Sequence, residues 1–138
     1  MVIPFRNSVD HFSEYVVTLA FIGTTIGKMA REVRELQKNE FGELSEPSHK
    51  GGVGSSTMPQ KVNPKLCMGL IALEAQIRAL PAVALEAMLG DHEADGSRTA
   101  MAGQAVRDAV QFCARMLQLA TGTSRNVYPD CIRIWCCA

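Results

Sequence analysis

Neither sign of charge prevails in this sequence. Its 138 residues carry 14 basic and 14 acidic side chains, and the formal net charge is zero. That balance removes the electrostatic reason to expect nucleic acid or an anionic membrane as a partner. No uninterrupted apolar run is long enough to span a bilayer. Val16–Ile26 is short and rich in threonine, and Leu66–Leu89 is broken by Glu74, Gln76, Arg78 and Glu86. Met1 to Asp10 lack a basic stretch followed by an apolar one, so no secretory signal is visible and a cytoplasmic setting is expected. Paired Cys-x-x-Cys spacing is missing too. Cys67 and Cys113 fall in helical patterns, as small buried hydrophobes do, and Cys131, Cys136 and Cys137 crowd the end with no histidine near. Neither a metal nor a cofactor is expected. What remains is a chain 47 % apolar, too apolar for disorder and of a length that suits about one domain.

Repeats are absent and strand signals are almost so; helical periodicity dominates. Apolar residues recur at Phe12, Tyr15, Val16, Leu19, Ile22, Ile26, Met29, Val33 and Leu36. Steps of three and four predict one face of a first helix over about 8–39. Ser8 is its N-cap candidate, and Gly42 and Pro47 mark its exit. Lys28, Arg31, Glu32, Arg34 and Glu35 fall off the stripe and are expected to face solvent or another chain.

A central helix is predicted over 65–89, with Asn63 as N-cap and Pro64 at the first helical position. Its apolar residues, Leu66 through Ile77 to Met88, lie nearly all round, which predicts burial on most sides. Such a helix is roughly 40 Å long. Pro81 should kink it or remove one backbone hydrogen bond, and Gly90 follows as a C-cap. A third helix over 99–121 has its stripe at Met101, Ala105, Val106, Ala109, Phe112, Cys113, Met116, Leu117 and Ala120, with Gly122 at its end. The fold class is therefore all-α. Three such helices cannot cover one another completely, so association with other chains or with further polypeptide is expected.

The segment 40–64 breaks the helical pattern and ends in GGVGSSTMPQKVNP. A plain connector has a median of about 4–6 residues, and this one is far longer. Gly51, Gly52 and Gly54 permit positive φ and close approach to a ligand, and Ser55 and Ser56 add hydroxyls. Lys61 and Asn63 add a cation and an amide directly before a helix whose positive dipole end faces back into the segment. Such a set can hold a carboxylate or phosphate. A solvated connection with an ordinary Asn-Pro helix start has the same composition, so both readings stand. A Walker-type phosphate loop is excluded, because Gly-Lys-Ser/Thr does not precede the helix.

Gly54-Ser55-Ser56-Thr57-Met58-Pro59-Gln60-Lys61-Val62-Asn63-Pro64 resembles the signature of the fumarase/aspartase superfamily, Gly-Ser-Ser-x-Met-Pro-x-Lys-x-Asn-Pro. The flanks, IGKMAREVRELQKNEFGELSEP and LPAVALEAMLGDHEADGSRTA, look like those of its adenylosuccinate lyase and 3-carboxymuconate cycloisomerase branch. The likeness covers about Asp10 to Gly122. It implies long helices of a central bundle, a homotetramer with shared active sites, and a small carboxylate substrate.

The implied chemistry is removal of a proton from the carbon beside a carboxylate, followed by loss of an amine or oxygen leaving group, with fumarate as the usual product. Cycloisomerases run a related lactonisation. Ser55 would be the base. Lys61 and Asn63 would bind the substrate carboxylate, in a substrate-binding set with Ser56, Thr57 and Met58. A serine acts as a base only where N–H donors and a cation stabilise its alkoxide in a site closed to water.

The chain departs from the family pattern in several places. Family members run to several hundred residues, so it looks like an internal piece, with the segments that bring the catalytic histidine lying upstream. His11 and His49 do not match that histidine. His92 matches a His-Glu-Arg-Asp segment in which Ala94 replaces the phosphate-holding arginine; Arg98 stands near, either to compensate or as a salt-bridged surface residue. Met68 stands where the family usually carries a glutamate paired to that histidine, and methionine cannot orient an imidazole. After LATG, the stretch TSRNVYPDCIRIWCCA, about 123–138, looks unrelated to the family, as a truncated or frameshifted reading frame would. The competing reading is a helical oligomerisation remnant that has lost the chemistry.

Overall fold

The computed structural model describes residues 9–46, 64–89, 96–126 and 128–129. Helical periodicity becomes three helices: α1 (Asp10–Leu36), α2 (Lys65–Ala87) and α3 (Gly96–Asn126). Among the described residues the strand content is one antiparallel pair of two-residue strands, β1 (Leu44–Ser45) and β2 (Tyr128–Pro129), with Leu44 opposite Pro129 and Ser45 opposite Tyr128. The architecture is all-α, as expected.

Packing clusters fix the directions of the helices. Val9 meets Ala87 and Ala102 at one end; Val16 meets Ala84, Ala105 and Ala109 further along; Ala30 meets Leu70, Ile77, Cys113 and Met116 toward the other end. Thus α2 runs antiparallel to both neighbours. The C-terminus of α1, the N-terminus of α2 and the C-terminus of α3 gather at one end, and β1 with β2 lies beside them. The predicted functional segment leaves and re-enters the bundle there.

The buried face of α1 overlaps the predicted stripe only in part: Val16 is buried and Leu19 and Ile26 pack against the core, but other members face outward. Ser13, Val16, Ala20, Gly23, Gly27 and Ala30 are buried, whereas Phe12, Tyr15, Ile22 and Met29 are exposed. The reason is steric. A Cβ added at Gly23 would lie 2.6 Å from Ile77 Cγ2, and one at Gly27 would lie 2.3 Å from Glu74 Cγ. The small residues seat α1 directly on α2, which leaves the larger apolar side chains facing outward. Ser13 fits this contact because its hydroxyl donates across the interface to the Ala84 carbonyl at 2.7 Å.

α2 is buried along one stripe, Cys67, Leu70, Glu74, Ile77, Ala84 and Ala87, and not on most sides as predicted. Met68, Ala72, Ala75, Ala79, Ala82 and Leu89 form an exposed row on its far side. By length and composition alone α2 could cross a membrane, with a mean hydropathy of 1.5 over its most apolar window. Its place here is that of the middle helix of a bundle, with a buried acid at mid-length.

Helix ends also shift. α1 begins after Val9, whose carbonyl accepts from the Phe12 and Ser13 N–H groups; Ser8 lies outside the described residues. The chain leaves α1 through Gly42, which adopts φ +60 and whose N–H donates to the Lys38 carbonyl, as the sequence reading of an exit required. α2 passes through Pro81 without interruption. Gly122 does not end α3, which continues to Asn126; a single glycine inside a well-packed helix costs only about 1 kcal/mol.

Candidate functional site

Ser55, Ser56, Thr57, Met58, Lys61 and Asn63 all lie outside the described residues, as do His49, His92 and Ala94. What the structure does describe is the mounting of that segment on both sides, at Glu46 and at Pro64.

Pro64 serves as the N-cap of α2, one position later than the predicted Asn63, and offers no side-chain cap. Glu46 supplies one instead. Its Oε2 accepts from the Leu66 N–H at 3.1 Å and its Oε1 from the Cys67 N–H at 3.0 Å. These are the second and third helical residues, where unsatisfied donors and the positive end of the dipole favour an anion. The predicted anion site at this helix terminus therefore needs correcting: two of its N–H groups already hold the chain's own carboxylate. Glu46 is nearly buried, with 7 % of its surface exposed.

Cys67 completes this polar node. Its buried thiol lies beside Glu46, and the side-chain amide of Gln37, at the end of α1, approaches Sγ at 3.9 Å. Burial, then the hydrogen bond and negative charge of Glu46, push the thiol up to about 12. At neutral pH it is a protonated packing group and not a nucleophile. Burial also raises the Cys113 thiol.

A second buried carboxylate sits at mid-bundle. Glu74 is fully buried on α2, and Arg31 of α1 donates to its Oε2 at 2.6 Å. Arg78 lies 3.3 Å from Oε1, but among the described residues that oxygen has no hydrogen-bond partner. Arg31 is exposed, as predicted, with 44 % of its side chain open to solvent, yet its guanidinium also reaches the buried Glu74, which sits against Gly27 where the absent Cβ makes room for it.

The remaining candidates separate. His11 is exposed on the first turn of α1, tilted against the Phe12 ring at 4.1 Å. It is most of a 27-residue helix away from Glu46, about 35–40 Å at 1.5 Å per residue. Met68 is 53 % exposed at the start of α2. Arg98 is held by Glu86, at 2.7 Å from its carboxylate and 3.0 Å from its carbonyl, which ties the start of α3 to the end of α2. No group of three His, Cys, Asp or Glu side chains among the described residues is placed to hold a metal. Sequence periodicity missed Glu46 and Glu74 as site features because both act across the fold.

Comparison with known proteins agrees with this architecture. The sequence profile of the lyase family matches residues 6–78. The chain belongs to that family, within the fumarase/aspartase superfamily. It is 40 % identical over 93 residues to N-acetyl-S-(2-succino)cysteine lyase of Enterococcus italicus, covering 67 % of this chain and 20 % of the relative. It is 37 % identical over 118 residues to adenylosuccinate lyase of Thermotoga maritima, covering 86 % and 27 %. The crystal structure of 3-carboxy-cis,cis-muconate lactonizing enzyme from Pseudomonas putida superposes with a TM-score of 0.80 at 28 % identity, covering 94 % of this chain and 29 % of that one. The chain thus spans 20 % to 29 % of the length of these relatives.

Proposed function

We propose that the chain carries the proton-abstracting segment of a lyase that eliminates a leaving group from a succinyl-type carboxylate, or runs the related cycloisomerisation. The observation that carries this reading is the run Gly54–Pro64, mounted between two helices of a chain that belongs to the lyase family. In this scheme Ser55, as alkoxide, takes the proton from the carbon beside a carboxylate. The electron pair moves into that carboxylate as an aci-carboxylate, then returns to form the double bond as the bond to the leaving group breaks and that group takes up a proton. Fumarate is the product of the elimination.

Charge on the substrate carboxylate grows in the intermediate, so a fixed cation and amide there stabilise it more than the ground state. Lys61 and Asn63 fill that role, and Ser56, Thr57 and Met58 complete the contact surface. A homo-oligomer, a tetramer on the family's pattern, is part of the same reading. Its support is the apolar surface that three helices leave open: the row from Met68 to Leu89 on α2, together with Phe21 at 70 % exposure and Met29 at 65 %. A cytoplasmic setting is part of the same reading.

One observation favours a second reading, a bundle-forming protein without turnover. Met68 cannot orient or charge an imidazole, and it stands exposed at the start of α2. The test is fumarate formation, followed by ultraviolet absorbance, from adenylosuccinate and from N-acetyl-S-(2-succino)cysteine. The chain is assayed alone and mixed with the histidine-bearing segment of a relative. Turnover that drops by about 10³-fold or more in Ser55→Ala supports the lyase. A soluble oligomer silent in every mixture overturns it in favour of the bundle.

A further inference from the structure

We infer that Glu46 is a positioning residue for the proposed elimination: its carboxylate, gripping the N–H groups of Leu66 and Cys67, holds together the two ends of the segment that carries Ser55, Lys61 and Asn63. The catalytic half of this inference rests on the proposed function; the grip itself rests on geometry alone.

Both carboxylate oxygens are engaged, Oε2 with Leu66 and Oε1 with Cys67, so the group is fixed in orientation as well as place. The contact spans 20 and 21 residues of sequence, unlike a helix cap supplied from the adjoining turn. Glu46 precedes the segment 47–63 in sequence, and the first turn of α2, which Glu46 caps, follows it. The chain therefore departs and returns within the reach of one side chain.

The anchor is braced from two further directions. Gln37, at the end of α1, approaches Cys67 Sγ at 3.9 Å. β1, immediately before Glu46, pairs with β2 beyond α3. The end of α1, the first turn of α2 and the strand beyond α3 thus meet around Glu46. A base and a cation must meet their substrate within about 1 Å of the productive geometry, and errors of that size cost on the order of 100-fold in rate. A cap at this point controls that geometry without touching substrate. The same grip leaves the Leu66 and Cys67 N–H groups unable to bind the substrate carboxylate, which throws that task onto Lys61 and Asn63.

The experiment compares the full chain with Glu46→Ala, Glu46→Gln and Glu46→Asp. Residue-resolved hydrogen exchange is followed at Leu66 and Cys67, with and without added acetate. In Glu46→Ala these two amides should exchange at least about fivefold faster, as loss of a cap permits, and acetate should slow them again by re-occupying the cap. Unchanged exchange there, or a uniform rise along the whole chain that acetate does not reverse, overturns the grip. Should Glu46→Ala fail to fold, Glu46→Gln keeps the volume and one acceptor oxygen and should show the intermediate rate.

The catalytic half is read in the mixture that shows Ser55-dependent turnover. Glu46→Ala should lower kcat about tenfold with KM within about twofold, and both acetate and Glu46→Asp should restore part of it. Faster exchange with unchanged kcat overturns the positioning role while leaving the cap. Turnover indifferent to Ser55→Ala instead brings down the function reading, and the exchange data still decide the grip.

Discussion

Two glutamates among the described residues are buried, and they are satisfied in opposite ways. Glu46, at the end of the bundle, accepts from two backbone N–H groups at a helix terminus. Glu74, at mid-length, depends on guanidinium groups from Arg31 and Arg78, whose side chains are 44 % and 60 % exposed, and one of its oxygens has no hydrogen bond. Backbone donors are already ordered by the helix, so a carboxylate that caps them costs little to hold and replaces water they would otherwise need. A carboxylate in the core must instead recover a large desolvation penalty from long, mobile partners. The first arrangement favours stability and placement. The second is a position where an apolar residue of equal volume should serve as well or better.

The strongest test of this contrast is at Gly27. An added Cβ would lie 2.3 Å from Glu74 Cγ and 2.8 Å from its Cβ. Those atoms are close to the α2 backbone and cannot swing away as a side-chain tip could. Gly27→Ala should therefore destabilise the chain by about 2–4 kcal/mol, despite the roughly 1 kcal/mol that alanine gains in helix propensity, because it overpacks the contact and displaces the ion pair. Chemical denaturation measures this directly. A stabilised Gly27→Ala would mean that α1 does not rest on Glu74.

Next comes the same substitution at both acids. Glu74→Leu should be neutral or stabilising by about 1 kcal/mol, whereas Glu46→Leu should lose about 1 kcal/mol as its cap disappears. Equal signs in a thermal melt would erase the distinction between the two sites. Removing the partner instead, Arg31→Ala, should cost about 1–2 kcal/mol, less than a wholly buried pair because the arginine arm is partly solvated.

The effect at Cys67 is confined to high pH and is absent at neutral pH. Its thiol binds a proton more tightly in the folded chain, at about 12, than at the ordinary value of 9.0. Between these values the unfolded chain holds fewer protons, so stability is fully present below about 9 and falls as pH rises toward about 12. The stability difference between the parent and Cys67→Ala should narrow over that window, as denaturation at several pH values would reveal. A difference that stays constant to the top of the window would place the thiol in contact with water.

The sequence was a good guide to existence and a poor one to faces. Periods of three and four announced α1, α2 and α3 because backbone hydrogen bonding and side-chain spacing are local properties. The run Gly54–Pro64 announced the family for a similar reason: its chemistry is written in adjacent residues. On α1, however, hydrophobicity pointed to Phe12, Tyr15, Ile22 and Met29, which are exposed, while close contact with α2 is made by Ser13, Gly23 and Gly27. Close approach rewards small side chains, which a hydrophobic stripe undervalues.

By itself, then, the sequence determined that this chain is helical, where its helices run, and which family its signature segment belongs to. Only the tertiary structure decided which face of each helix is covered, that Arg31 reaches Glu74, and that Glu46 rather than a neighbouring residue caps α2. Those outcomes depend on distances between residues 20 or more positions apart, and such distances are set by how closely one helix can approach another. No periodicity along a single helix records them.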